Sequence, residues 1–133
     1  MTPQHKIKHA IINLANRWNE RDPLPDNVTA EDIDRIYDEL DENYGLQEAR
    51  NEIRSTGIET GLTCELSRHY ETEAVAAQMP DGSWVGWTYW YGGGKYGEPE
   101  AIDWISYAYD VNCVEQEKLV VVRTFSKPDP CTT

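Results

Sequence analysis

The eight residues from Trp84 to Tyr91 (WVGWTYWY) constrain the fold of this chain more than any other segment. Successive side chains of a strand point to opposite faces. One face would therefore carry Trp84, Gly86, Thr88 and Trp90, and the other Val85, Trp87, Tyr89 and Tyr91. A half-buried antiparallel sheet needs only one apolar face, yet both faces here are aromatic. Some of these rings must meet a second layer, a partner or water.

The tryptophan run is predicted to be the second arm of a β-hairpin. Residues 73–79 (EAVAAQM) form the first arm, and a short glycine-containing turn, PDGS, joins the two. The β-branched residues 119–125 (LVVVRTF) predict a later strand. Residues 102–113 fit either a helix entered at Pro99 or an extended segment. Their Trp, Ile and Tyr content favours a strand.

Before Gly57 the apolar residues recur at helical spacing. A first helix is predicted over residues 3–20, because the DPLP sequence that follows cannot continue a helix. Thr29 has the N-cap position of a second helix, which ends at Gly45, and a short third helix closes before Gly57. The second helix places its apolar side chains on one face: Ile33, Ile36, Tyr37, Leu40 and Tyr44.

These elements predict one α+β domain of 133 residues, with two to three N-terminal helices packed on an antiparallel sheet of about four strands. Residues 1–57 are helical, residues 58–126 form an antiparallel β meander, and residues 127–133 form a frayed tail. An amphipathic helix cannot bury its apolar stripe alone, so the helices must pack together or on the sheet.

The chain is strongly acidic, with 24 acids, 12 bases and a net charge of −12. Residues 22–57 alone carry eleven acids and three bases. Such a surface repels phosphate backbones and anionic lipid, so we expect neither direct nucleic-acid binding nor membrane binding. It attracts basic surfaces, including those that normally hold nucleic acid.

The cysteines, Cys64, Cys113 and Cys131, are odd in number and widely spaced. No apolar signal segment opens the chain, and no stretch is apolar and long enough to span a membrane. We therefore predict a cytoplasmic protein with free thiols.

The glycine-rich segment 92–97 (GGGKYG) matches the G-x-G-x-x-G pattern of dinucleotide-binding loops. The next residues are Glu98, Pro99 and Glu100, whose carboxylates would repel the phosphates. A turn whose glycines adopt positive φ is the favoured interpretation. Glu98, Glu100 and Asp103 would suit acid–base chemistry or a divalent cation, but nothing fixes their separation, and a solvated loop is favoured.

Two histidine arrangements also have a structural and a functional interpretation. His5 and His9 share one helix face, but no third ligand accompanies them. Cys64 and His69 form the only local Cys/His pair and have no recognisable catalytic signature around them. We therefore predict no catalytic residue, no metal ligand and no cofactor.

The second helix gathers acids opposite its apolar face: Glu31, Asp34, Asp38, Asp41 and Glu42. Arg35 is the only base on this helix. A helical turn rises about 5.4 Å, so carboxylates one turn apart repeat near the phosphate spacing of a nucleic-acid strand. Such a row of acids can occupy a groove built for phosphates. The alternative is an ordinary solvated helix face.

The aromatic sheet has more rings than one buried face requires. Most of them are expected in the core against the helices. The remainder would form an apolar contact patch, where Trp and Tyr are favoured, and we assign Trp87, Trp90 and Tyr91 to partner binding. Carbohydrate stacking and a homodimer interface are the alternatives for this face.

The segment from Tyr89 to Trp104 (YWYGGGKYGEPEAIDW) resembles small uncharacterised proteins encoded by bacteriophages and prophages. The resemblance covers this block and the residues that follow it, and it implies no catalytic residue. It implies a small host-interaction protein in the cytoplasm of a bacterial host cell. Among such proteins, acidic mimics of nucleic acid inhibit restriction, CRISPR or other nucleic-acid-binding machinery.

The sequence thus predicts a non-enzymatic, phage-derived acidic protein that inhibits or modulates a basic host protein or complex, such as a defence component, by DNA mimicry. One alternative is a small enzyme or ligand-binding domain that uses the aromatic cleft with Glu98, Glu100 and Asp103. The other is a homodimeric interaction module.

Overall fold

The computed structural model of the protein describes residues 1–43 and 45–128. Its elements are the helices α1 (Pro3–Trp18), α2 (Ala30–Glu42) and α3 (Gln47–Ser55), the strands β1 (Ile58–Glu59), β2 (Glu71–Gln78), β3 (Trp84–Tyr91) and β4 (Tyr109–Val111), and two 3₁₀ turns, Pro99–Ala101 and Ile105–Tyr107. The strands form one antiparallel sheet in the order β1-β2-β3-β4. The predicted α+β class, with helices first and a four-stranded antiparallel sheet after them, is confirmed.

The first two helices begin at side-chain caps. The Thr2 hydroxyl accepts a hydrogen bond from the backbone N–H of His5 at 3.2 Å, and Pro3 occupies the first helical position. The Thr29 hydroxyl accepts one from the N–H of Asp32 at 3.1 Å, which confirms Thr29 as the N-cap of α2. Tyr44, predicted on the buried face of the second helix, lies outside the described residues, as does Cys131.

Strands β2 and β3 form the predicted hairpin, and their register pairs every residue of one strand with the other, from Glu71–Tyr91 to Gln78–Trp84. In the turn, the Asp81 carboxylate accepts hydrogen bonds from the Ser83 hydroxyl at 2.6 Å and from its N–H at 2.9 Å. These bonds hold the pKa of Asp81 below its ordinary value. Gly82 takes the positive φ of 87° that the turn needs.

The predicted strand over residues 119–125 is wrong. Within the described chain these residues form no regular element and pair with no strand. Strand propensity reflects how well a side chain fits a half-buried pleated surface, and among the described residues this run packs on no such surface. The strands therefore lie between residues 58 and 111 and do not extend to residue 126 as the predicted meander did.

The predicted strand over residues 102–113 is largely wrong as well. Only Tyr109–Val111 are extended and paired, opposite residues 84–86 of β3. The 3₁₀ turn Ile105–Tyr107 precedes them and brings Trp104 and Ile105 into the core. A straight strand would have alternated these two neighbouring side chains between opposite faces, whereas here both are buried.

The core lies between the helices and the face of the sheet that carries Val75, Val85 and Trp87. The Trp87 ring is fully buried, and its centroid lies 5.2 Å from that of Trp104 at an interplanar angle of 45°. Gly57, at the passage from α3 to β1, crosses close to this face. A Cβ there would lie 2.5 Å from Cγ2 of Val75 and 3.1 Å from Cζ2 of Trp87, so no side chain fits.

We expect Trp87→Ala to lower the free energy of unfolding by about 3–5 kcal/mol, because it removes a fully buried ring and leaves a cavity beside Trp104. Denaturant titration followed by circular dichroism measures the change. The matched control is Trp18→Ala, at the end of α1, where the ring is half exposed and the loss should stay within about 1 kcal/mol. Equal losses in the two variants would contradict this placement of Trp87.

Candidate protein-binding surface

The outward face of α2 carries most of the predicted acidic residues. Glu31, Asp38, Asp41 and Glu42 are exposed, and within residues 1–43 and 45–128 none of them forms an ion pair. The opposite face of the helix packs into the core: Ile33 is buried there, and further apolar side chains of the same face are half-buried. The fold thus exposes these four carboxylates together along one helix, and we call them the α2 acidic face.

Arg35 is the single base of α2, and acids of the same helix surround it. Its guanidinium lies 3.4 Å from a carboxylate oxygen of Asp32 and 3.7 Å from one of Glu39. The hydrogen bond from the Thr29 side chain, followed by that from Arg35, holds the pKa of Asp32 below its ordinary value. Arg35 is therefore engaged by acids outside the α2 acidic face.

Asp34 does not belong to the free surface, although the sequence placed it in the predicted patch. It is half-buried, and its carboxylate contacts α1 through Nε2 of His5 at 2.9 Å and Nζ of Lys8 at 3.1 Å. The hydrogen bonds from His5 and then Lys8 hold the pKa of Asp34 below its ordinary value. The assignment of Asp34 to partner binding is corrected to a contact between α1 and α2.

The Asp34 contact predicts a pH-dependent contribution to stability. Because the folded pKa lies below the ordinary value of 3.8, the contribution is complete above pH 3.8 and disappears as the pH falls through the folded pKa. We expect Asp34→Asn to lower the free energy of unfolding at pH 7 by about 0.5 kcal/mol, after allowing for solvent screening of this half-exposed pair. The loss should vanish in strong acid.

Urea titration at a series of pH values measures this difference. Asp38→Asn, one turn further along α2, makes the same charge change at an exposed carboxylate without an ion pair among the described residues, so it should leave stability unchanged. A loss for Asp34→Asn that persisted unchanged in strong acid would argue against the contact.

The aromatic residues assigned to partner binding are mostly buried. Trp87 is 0% exposed and Trp90 is 7% exposed, so neither ring reaches the surface and their assignment to a contact patch is wrong. The Trp90 ring packs edge-on against Tyr107, with centroids 5.5 Å apart.

Tyr91 is half-buried and stacks on Tyr89, with ring centroids 5.6 Å apart. Desolvation and the nearby carboxylates of Glu73, Glu71 and Glu59 raise the pKa of its hydroxyl.

Arg54 covers Tyr89 on the face of β3 that also carries Trp87. Its guanidinium is buried, lies 4.4 Å from the centroid of the Tyr89 ring and donates a hydrogen bond to the backbone carbonyl of Trp90. Among the described residues no carboxylate forms an ion pair with it. Arg54 thus anchors α3 to the end of β3, a contact that the sequence alone did not indicate.

The histidine pair considered as a metal site is divided by the fold. His5 is engaged by Asp34, and its other ring nitrogen lies 2.7 Å from the Thr2 hydroxyl. His9 is buried, and within residues 1–43 and 45–128 its Nε2 has no hydrogen-bond partner. In the described part of the chain, no three His, Cys, Asp or Glu side chains come together in a metal-binding arrangement.

Burial of His9 predicts loss of stability in mild acid. Desolvation lowers the pKa of His9 below the ordinary 6.5, although the carboxylates of Asp26 and Asp81 oppose this shift. The unfolded chain therefore takes up a proton near pH 6.5 and the folded protein only at lower pH. The free energy of unfolding should fall as the pH drops below 6.5, by up to about 1.4 kcal/mol per pH unit for this one proton.

His9→Gln should remove this slope between pH 6.5 and the folded pKa, as measured by denaturant titrations over that range. His69→Gln is the control, because His69 is exposed and the substitution should leave the slope unchanged. A slope that survives His9→Gln would show that another group carries it.

The remaining polar candidates are dispersed on the surface. Glu98, Glu100 and Asp103 are exposed, and Asp103 accepts a hydrogen bond from the Ser106 hydroxyl at 2.5 Å. In the loop before them, Gly92, Gly93 and Gly94 have φ values of 76°, 87° and 74°, which confirms the predicted positive-φ turn. Cys64 is a half-buried free thiol, and His69 is exposed.

The sequence reasoning missed an apolar groove on the face of the sheet opposite Trp87. It encloses about 350 Å³ and runs from β1 to the end of β4, and its walls include Ile58, Leu62, Trp84, Val111, Cys113 and Val114. Part of this face is closed by Tyr109, whose ring lies over Gly86: a Cβ on Gly86 would come 2.6 Å from Cε2 of the tyrosine. The signal for the groove was the shared strand face of Ile58, Trp84 and Val111, which becomes visible only with the register.

Comparison with protein-family models, curated proteins and solved structures found no match to this chain. Among the helices described, none combines the length and the apolar character that crossing a membrane requires.

Proposed function

We propose that this protein is a phage-derived, non-enzymatic binding protein that inhibits or modulates a basic, nucleic-acid-binding protein of its bacterial host, with the α2 acidic face as the contact surface. The observation that carries this proposal is the exposure of Glu31, Asp38, Asp41 and Glu42 along one helix without ion-pair partners among the described residues. Restriction and CRISPR components are candidate targets.

Electrostatics supports a basic target. The net charge of −12 gives the protein a negative overall potential, which speeds encounter with a positively charged partner. Exposed carboxylates gain little from intramolecular ion pairs, so leaving four of them unpaired costs the fold little and keeps them available. The same potential opposes contact with phosphate backbones and with anionic lipid.

Helix geometry supports mimicry of a nucleic-acid strand. Glu31, Asp38 and Glu42 follow one another at intervals of two turns and one turn along the same side of α2. Since a turn rises about 5.4 Å, the interval between Asp38 and Glu42 is near one phosphate spacing along a backbone, and that between Glu31 and Asp38 is near two. A cleft that binds duplex DNA through arginine and lysine side chains would find complementary charge there.

The test begins with capture from host lysate on the immobilised protein at low and high salt. A basic protein retained at low salt is identified and purified, and its affinity is then measured by titration calorimetry. Neutralising the α2 acidic face (Glu31→Gln, Asp38→Asn, Asp41→Asn and Glu42→Gln) should weaken binding at least about tenfold, or 1.4 kcal/mol. Duplex DNA should compete with the protein for the same site.

A matched variant keeps the total charge change equal. It neutralises four exposed acids away from α2, namely Glu71→Gln, Glu98→Gln, Glu100→Gln and Glu115→Gln, and should retain affinity within about threefold. Equal loss in both variants would reduce the effect to net charge. Absence of competition by duplex DNA, or of salt dependence, would refute the mimicry.

A further inference from the structure

One segment of the described chain does not pack on the domain. Residues 118–128 (KLVVVRTFSKP), which we call the basic tail segment, follow β4 without regular structure. Leu119, Val120, Val121, Val122 and Phe125 are between 77% and 106% exposed. An exposed run of β-branched and aromatic residues of this length is unusual in a monomer and marks a site for pairing with another chain.

The charge of the basic tail segment is opposite to that of the rest of the protein. It contains three bases and no acid, whereas residues 1–117 contain nine bases and 23 acids. The segment is therefore attracted to the body of any copy of this chain, and two such bodies repel each other unless their tail segments lie between them.

The groove described above has the chemistry to accept the segment. Its walls are mostly apolar side chains of the sheet and of the residues after β4, including Trp84, Val111 and Val114, with Thr60 and Asn112 as polar members. The backbone edge of β4 that faces away from β3 pairs with no strand within the described residues, so its N–H and C=O groups are free to bind an added strand.

We propose that the basic tail segment of one copy docks as an added β-strand along β4 and into the groove of a second copy, and that the exchange is reciprocal. The tail does not occupy the groove of its own copy, since its apolar side chains are exposed. Residues 112–114 line the groove of their own copy, so the four residues 115–118 lead from it to Leu119; they reach about 13 Å when extended, which spans to a molecule in contact with the edge of β4. A reciprocal exchange fills both grooves and closes the assembly as a two-fold dimer.

Strand alternation specifies the row that enters the groove. Leu119, Val121, Arg123 and Phe125 share one face of an extended segment, which we call the apolar row. Val120, Val122, Thr124 and Ser126 share the other face, which we call the hydroxyl row. We assign the apolar row to the groove because it carries the larger apolar side chains, Leu119 and Phe125, and the long side chain of Arg123 can reach solvent from there. This assembly does not use the α2 acidic face, so it holds or fails independently of the proposed function.

Light scattering on the full chain over a wide concentration range tests the assembly. The wild-type protein should have the mass of a dimer. The double variant Leu119→Asp/Val121→Asp should be a monomer, with a dissociation constant raised at least about 100-fold, because two carboxylates would be buried in an apolar groove. Since these side chains are exposed in the folded chain, the variant should fold normally by circular dichroism.

The control is Thr124→Asp/Ser126→Asp, which makes the same charge change on the hydroxyl row and should remain a dimer. A monomeric wild-type protein would overturn the proposal. So would a dimer that both variants preserve or that both disrupt equally, since the apolar row would then have no specific role.

Cross-linking identifies the occupant of the groove. Cys113 lies in the groove wall, so Val121→Cys in a Cys64→Ser/Cys131→Ser background should give a covalent dimer with oxidised glutathione, and Cys113→Ser should abolish it. A disulfide within a single chain would show that the tail occupies its own groove and would overturn the exchange. A ladder of larger oligomers would overturn its reciprocity.

Discussion

The packing of Trp87 against Trp104 is the contact on which the rest of the fold depends. Trp87 lies at the centre of the hairpin, and Trp104 comes from the turns that follow β3, so their contact draws the chain back across the sheet before β4 is added. Gly57 makes room for Trp87 from the opposite direction, where α3 passes into β1. The Trp87 ring therefore connects the helical layer, the hairpin and the turns that lead to β4.

Local signals were sufficient for the elements that local interactions determine. The caps at Thr2 and Thr29, the apolar spacing of the helices and the glycine-containing turn are each written within a few consecutive residues. The α+β class follows from these elements, because helices followed by a hairpin have few ways to bury the apolar faces of both. In the sequence, the acidic face of α2 was visible for the same reason.

What the sequence could not reveal depended on contacts between distant segments. The run at 119–125 has the composition of a strand, but a strand also needs a neighbour, and within the described chain this run pairs with none. Asp34 looked like its neighbours on α2 until the docking of α1 placed Lys8 beside it. Trp90 seemed surplus because its two contacts cannot be anticipated from residue spacing. Arg54 donates a hydrogen bond to its backbone carbonyl, and the Tyr107 ring packs against its side chain.

The buried Arg54 gives this acidic protein an uneven response to ionic strength. Its guanidinium is held by a ring face and a carbonyl inside the fold, where mobile ions screen weakly, whereas the carboxylates that repel one another lie in solvent, where ions screen strongly. Added salt therefore reduces the repulsion among the exposed carboxylates more than it weakens the contacts of Arg54. The domain should stay folded at the salt concentrations that dissociate a basic ligand from it. Release of a bound protein by salt would therefore reflect weakening of the interface and not unfolding of the domain.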